Sequence, residues 1–338
     1  MTTFSNLFLI FILLSQATFS LSKRCHPEDE RILLQIKKEL NNPTILSSWK
    51  PHTDCCNFNW YGVGCSALIN GRVGLLSISN DTKLSAKFPP SIGNISYLES
   101  LNIDDLPNLT GTIPESIARL PRLVYLTISA TGVTGPIPKF TAQSKSLVNL
   151  DLSHNNLFGT LPPLLYKLPS LSGVLFNNNK LTGSIPPSYG YFNNSNLADL
   201  DLSYNNLSGK LPISLARLDT YVVNLAYNKL EGDASMLFGP DKKTNVLDIS
   251  GNRFDFDFGR VQLPKTLTIL DVSHNKIYGS FPMGMENVTL LNVSYNRLCG
   301  EIPKVGYFNT FDVSSFVHNK CLCGLDMMLS ITGENLFS

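Results

Sequence analysis

The chain has 338 residues, 27 Lys plus Arg against 26 Asp plus Glu for a net charge of +1, 43% hydrophobic residues and only 16% charged ones. This composition excludes intrinsic disorder, which needs low hydrophobicity and high net charge, and a strongly basic nucleic-acid binder, whose affinity rests on neutralising phosphates. Length alone suggests about two domains, an expectation that the internal repeats replace.

Residues 7–14 read LFLIFILL, too short a run to cross a bilayer, which takes about 20 apolar residues. Small residues follow at Ala17, Ser20 and Ser22. The pattern predicts a secretory signal peptide over residues 1–22. No later stretch reads as a membrane span.

Residues 23–71 are expected to form an N-terminal cap. In PEDERILLQIKKEL, Ile32, Ile36 and Leu40 stand four apart with Leu33 beside them, giving a helix with one apolar face. Pro27 suits the first helical position, and the acids at 28–30 suit the positive helix end. Cys25, Cys55, Cys56 and Cys65 cluster here, whereas Cys299, Cys321 and Cys323 lie near the other end. In a secreted chain such clusters read as disulfides. No zinc-finger spacing is present, and no metal is expected. Adjacent Cys55 and Cys56 are poorly placed to bridge each other, which leaves two pairings open for the first four. Seven cysteines is an odd number, so one is left over.

Residues 72–302 are repetitive. Gly111, Gly135, Gly159 and Gly183 follow one another at 24-residue intervals; Gly209, Gly232, Gly279 and Gly300 continue the series, Phe256 holds the slot between Gly232 and Gly279, and Ala86 opens it. That makes ten units. The best copies, LVNLDLSHNNLFGTLPPLLYKLPS and LADLDLSYNNLSGKLPISLARLD, match the leucine-rich repeat pattern L-x-x-L-x-L-x-x-N-x-L. The expected class is α/β: a leucine-rich repeat solenoid with a parallel β-sheet on its concave face, ten repeats and disulfide-bonded caps, the C-terminal cap spanning 303–338. Leu150 and Leu152 have strand period and point inward. Asn155 recurs as Asn179, Asn205, Asn228, Asn252, Asn275 and Asn296, where an amide can satisfy buried backbone groups in the turn. Thr131 takes that slot in the third unit, which is expected to be a weak point.

Residues alternating with the inward leucines should face a partner. Those expected to bind are Asp104; Tyr125, Thr127 and Ser129; Asn149, Asp151 and Ser153; Leu175 and Asn177; Asp199 and Asp201; Val222 and Asn224; Val246 and Asp248; Ile269 and Asp271. The face is acidic and free of Lys and Arg, while Arg119, Arg122, Lys145, Lys167 and Arg217 fall in the return arms. An acidic groove steers a basic partner, and Tyr125, Leu175, Val222, Val246 and Ile269 are expected apolar anchors. Sequons stand at Asn80, Asn94, Asn108, Asn193, Asn206, Asn287 and Asn292. Each is a permissive acceptor, and a glycan on Asn292 would obstruct the concave face. His154 and His274 share a slot with Tyr204, Tyr227 and Tyr295, so they read as surface residues rather than catalytic bases. No P-loop, nucleophile elbow or dinucleotide fingerprint is present, and neither an enzyme nor a cofactor is expected.

Several segments carry a family resemblance. LLQIKKELNNPTILSSWKPHTDCCNFNWYGVGC resembles the cap of secreted plant leucine-rich repeat proteins; KLEGDASMLFGPDKK, LNVSYNRLCGEIP and FVHNKCLCG resemble the polygalacturonase-inhibiting proteins of plant cell walls. The resemblance runs from about Cys25 to Gly324. It implies pairs Cys25–Cys55, Cys56–Cys65 and Cys299–Cys321. It also implies a C-terminal Pro-Leu-Pro-x-Cys tail, which this chain lacks, so Cys323 is expected to be a free thiol or to form an intermolecular disulfide. The implied function is a secreted, monomeric defence protein of the cell wall that inhibits fungal or insect polygalacturonase and meets pectin there. A non-inhibitory apoplastic module binding a peptide or receptor is the alternative, as is ice binding, which a relative performs.

Overall fold

The computed structural model describes residues 24–57, 59–66, 70–139, 145–192 and 197–324. The expected signal peptide and the segment after Gly324 lie outside the described residues. Among those described, no helix is long and apolar enough to cross a membrane.

The cap helix, α1, spans Pro27–Glu39 with His26 as N-cap. Its apolar stripe does what the spacing dictates: Ile32, Leu33, Ile36 and Leu40 are all buried. Trp49 stacks on Trp60 at 5.6 Å beneath it, and each indole N–H finds a partner, Tyr61 O at 2.9 Å and Thr53 Oγ1 at 2.8 Å. Disulfides join Cys25 to Cys55, Cys56 to Cys65 and Cys299 to Cys321, and Cys323 is free and exposed.

The repeats stack one strand each into a single eleven-stranded sheet. Its edge is Val63–Ser66, antiparallel to Arg72–Ser79; parallel strands follow in strict chain order to Leu290–Asn292. Sequential strands are neighbours because one repeat cannot bury its own apolar face and must stack on the next. Leu101, Leu126, Leu150, Val174, Leu200, Val223, Leu247, Leu270 and Leu291 fill the inward column. Short 3-10 helices, such as Leu165–Lys167 and Ile213–Arg217, return the chain on the convex side.

The asparagine ladder is continuous. Asn179 Nδ2 donates to Leu152 O, Phe176 O and Asn177 O at 2.8–3.3 Å, and Asn179 Oδ1 accepts from Leu157 N at 2.9 Å, so each amide ties its own turn to the repeat before it. Thr131 keeps the ladder connected with fewer bonds than an asparagine makes. Its hydroxyl donates to Asn155 Oδ1 at 2.5 Å and accepts from Val133 N at 3.3 Å, replacing the missing amide with a shorter relay. The ladder also runs one rung further than the repeat count suggested: Asn319, in the C-terminal cap, donates to Val293 O and Phe316 O and accepts from Leu298 N. A second, six-stranded parallel sheet lies just beyond the ladder, from Thr134–Gly135 to Arg253–Phe254.

Candidate functional site

Parallel register sets the concave residues in rows. The middle row reads Asn102, Thr127, Asp151, Leu175, Asp201, Asn224, Asp248, Asp271 and Asn292. Beside it run Ser100, Tyr125, Asn149, Gly173, Asp199, Val222, Val246, Ile269 and Leu290. Neither row contains Lys or Arg. Asp151, Asp199, Asp201, Asp248 and Asp271 are thus brought onto one surface.

Ser129 and Ser153 are a correction. Both were expected to face a partner and both are buried, as are Ser203, Ser250, Ser273 and Ser294 in the same slot. At Ser153, Ser203, Ser250, Ser273 and Ser294 the strand is only three residues long and alternation stops before this position; Ser129 instead lies within the longer strand Tyr125–Thr131. The preceding aspartate then claims the serine: Asp151 Oδ1 accepts from the N–H and hydroxyl of Ser153 at 3.0 and 2.6 Å, and Asp201 and Asp248 repeat this with Ser203 and Ser250. Asp104 accepts a short hydrogen bond from Ser129 across neighbouring repeats. Each brace uses one carboxylate oxygen, and Asp201 Oδ2 also accepts from Asn224 Nδ2 at 3.4 Å. Asn177 is half-buried and lies 3.4 Å from His154 Nε2. The apolar anchors also divide. Tyr125 is 52% exposed, and Leu290, not among the expected anchors, matches it at 52%, whereas Leu175, Val222, Val246 and Ile269 are half-buried.

Asp199 is the most perturbed carboxyl. Burial, then the charges of Asp201 and Asp151, pushes it up to about 6, and its Oδ1 is buried with no hydrogen-bond partner among the described residues. Burial likewise raises Asp248, opposed by the Ser250 hydrogen bonds. Because the folded pKa of Asp199 exceeds its unfolded value, its favourable contribution is complete below about pH 4 and is lost as pH rises through about 6. Asp199→Asn is therefore expected to be more stable than the parent above pH 6 and indistinguishable from it near pH 4. Thermal melts across that range check this; an equal gain at both ends would reject it.

Two further rows flank the groove. The residue after each ladder asparagine is Asn156, Lys180, Asn206, Lys229, Arg253, Lys276, Arg297 and Lys320. The six cations among them are all exposed and form a basic strip, which sequence reading missed by assigning cations only to the return arms. Stepping one residue past each ladder asparagine would have found it. The residue before each asparagine is His154, Asn178, Tyr204, Tyr227, Gly251, His274, Tyr295 and His318, every one with positive φ. His154 and His274 are exposed, as expected of surface residues. Among the sequons, Asn80, Asn94, Asn108 and Asn287 are exposed; Asn206 is half-buried in the basic strip, and Asn193 lies outside the described residues. Asn292 is held at both ends, donating to Asp271 Oδ2 and accepting from the N–H and hydroxyl of Ser294.

Comparison with known proteins agrees with this architecture. Residues 26–66 match the Leucine rich repeat N-terminal domain, and residues 146–168 and 196–218 match the Leucine Rich Repeat. A polygalacturonase inhibitor of Vitis vinifera is 56% identical over 95% of this chain and 95% of its own length. The leucine-rich repeat protein FLOR 1 of Arabidopsis thaliana is 51% identical over 93% of this chain and 96% of its own. Among solved structures, a plant ice-binding protein superposes with a TM-score of 0.85 at 44% identity, covering 89% of this chain and 96% of that one.

Proposed function

The chain belongs to the polygalacturonase inhibitor family of plant leucine-rich repeat proteins, and from that premise we propose that it is a secreted cell-wall protein that binds a pathogen polygalacturonase on its concave face and obstructs pectin cleavage. It acts by covering the enzyme rather than by chemistry of its own. The observation that carries this reading is the charge pattern of the groove: five aspartates, four of them in the middle row, no cation in either row, and apolar Val222, Val246, Ile269 and Leu290 alongside. Such a surface attracts a basic rim, discriminates against an acidic one, and supplies apolar area once the partner is seated. The three disulfides suit an oxidising, extracellular compartment.

Titration of the purified chain against fungal and insect polygalacturonases tests this. Inhibition that reaches a stoichiometric end-point is expected, and Asp201→Lys with Asp248→Lys should weaken it by about 1,000-fold or more, as two reversed charges in a desolvated interface each cost on the order of 2 kcal/mol or more. Failure to inhibit any enzyme, together with capture of a receptor ectodomain, would favour the apoplastic recognition module. An ice-recrystallisation assay addresses the function named for the structural neighbour. The basic strip favours one further partner: polyuronate of cell-wall pectin, whose carboxylates match a row of cations spaced one repeat apart.

A further inference from the structure

The ring row beside the groove contains a break. Tyr204 stacks on Tyr227 at 4.5 Å, and His274, Tyr295 and His318 stack at 4.1 and 4.2 Å. Gly251 holds the slot between the two stacks and contributes no ring. Tyr227 leans towards it, since a Cβ added to Gly251 would stand 2.8 Å from Tyr227 Cδ1. One face of His274 is covered by Tyr295, and the other looks across the break. Two repeat steps separate the Tyr227 and His274 slots, about 9.5 Å between backbones at the usual strand spacing, and the lean of Tyr227 towards Gly251 takes up part of that gap. A planar group held between two ring faces needs about 7 Å, twice a van der Waals contact.

Carboxylates stand at the concave end of this break. Asp248 lies three residues before Gly251, and Asp271 three before His274. Asp248 commits Oδ1 to Ser250, and Asp271 commits its oxygens to Ser273 N and Asn292 Nδ2. Burial, then Tyr227, Asp248 and Asp271, raises the Tyr204 hydroxyl, so rings and carboxylates share one electrostatic neighbourhood. Arg253 and Lys276 follow in the basic strip, and their charge disfavours approach of a cation from that side.

We propose that the break at Gly251 is a guanidinium subsite: an arginine side chain of the protein partner enters from the groove, lies between the Tyr227 and His274 rings, and directs its N–H fork at Asp248 and Asp271. A guanidinium is planar and weakly hydrated, stacks on aromatic faces and forks onto carboxylates, whereas an ammonium is a compact, strongly hydrated point charge. The subsite rests on the concave-face reading above and names the chemistry it selects there.

The test uses the full chain and two blocked peptides, Gly-Gly-Arg-Gly-Gly and its lysine counterpart, titrated by NMR at pH 8, above the ordinary histidine range, while the His274 ring signals are followed. The arginine peptide is expected to bind about tenfold tighter than the lysine peptide, the ratio that one stacked, forked cation supports. Gly251→Tyr, which fills the slot once the Tyr227 ring shifts from the 2.8 Å contact its Cβ would make, should reduce arginine binding to the lysine level. His274→Ala, at an exposed position, should do the same and guards against a folding defect in the first variant. Equal affinity for the two peptides, or arginine binding unchanged in His274→Ala, overturns the subsite. Because no enzyme enters this assay, loss of the subsite and loss of polygalacturonase inhibition are read separately.

Discussion

Arg72→Met is expected to destabilise the N-terminal cap by about 3–5 kcal/mol, the cost of removing one partner from a buried ion pair. Asp29 is fully buried in the first turn of α1. It accepts from Arg72 Nε at 3.0 Å, Arg72 Nη2 at 2.8 Å and Val73 N at 2.8 Å. The pair pins the cap helix to the first parallel strand, and Arg72 also lies 4.3 Å over the Tyr97 ring. Methionine keeps the packing stem but leaves the carboxylate with one backbone N–H. Both tryptophans of the chain, Trp49 and Trp60, sit in this cap, so urea unfolding followed by tryptophan fluorescence reads the cap alone. Asp29→Asn with Arg72→Met should recover most of the loss, because no buried charge is then left unpaired. A single-variant shift below about 1 kcal/mol would mean that Asp29 is solvated or otherwise satisfied. The two disulfides of this cap, Cys25–Cys55 and Cys56–Cys65, limit how far it opens, and damage should stay near it because each repeat contacts only its neighbours.

That ion pair marks where sequence reading stops. The stripe Ile32, Ile36 and Leu40, the column from Leu126 to Leu291 and the ladder asparagines were legible, because helix period, strand period and repeat period are local or recurrent signals. Asp29 and Arg72 are 43 residues apart, occur once each, and read as a helix-end acid and an ordinary cation. Asn319 was missed for the opposite reason: its role recurs, but no complete repeat follows it to make the register visible. Ser153 shows a third kind of limit. Its alternation with Leu152 is real, yet the strand ends at Asp151, and the Asp151 carboxylate then holds the serine inside. The groove's acidity was legible residue by residue. The basic strip was equally present in the sequence, one position past the ladder. The break at Gly251 was not legible, because its meaning lies in the rings that flank it in the stack.

Asn205→Leu is expected to cost about 3–5 kcal/mol, confined to the repeats on either side. Asn205 Nδ2 donates to Phe176 O at 2.9 Å, Leu202 O at 3.2 Å and Ser203 O at 3.1 Å, and its Oδ1 accepts from Leu181 N at 3.0 Å. Leucine matches the volume but leaves these buried backbone groups without that partner. Each orphaned group costs roughly 1–3 kcal/mol, the carbonyls at the lower end because they keep a second lone pair. Asn205→Asp should be worse than its near-identical shape suggests, since an anionic oxygen replaces the donor among three carbonyls. Thr131→Val should cost only about 1–2 kcal/mol, because that hydroxyl serves one acceptor and one donor. Hydrogen exchange locates the effect. In Asn205→Leu the Leu181 N–H should lose protection, while the Leu230 N–H, bonded to Asn252 Oδ1 at 3.0 Å two rungs away, should keep it. Equal loss at both sites would show that the ladder is one cooperative unit rather than a set of nearest-neighbour ties, and the local account of this solenoid's stability would fail.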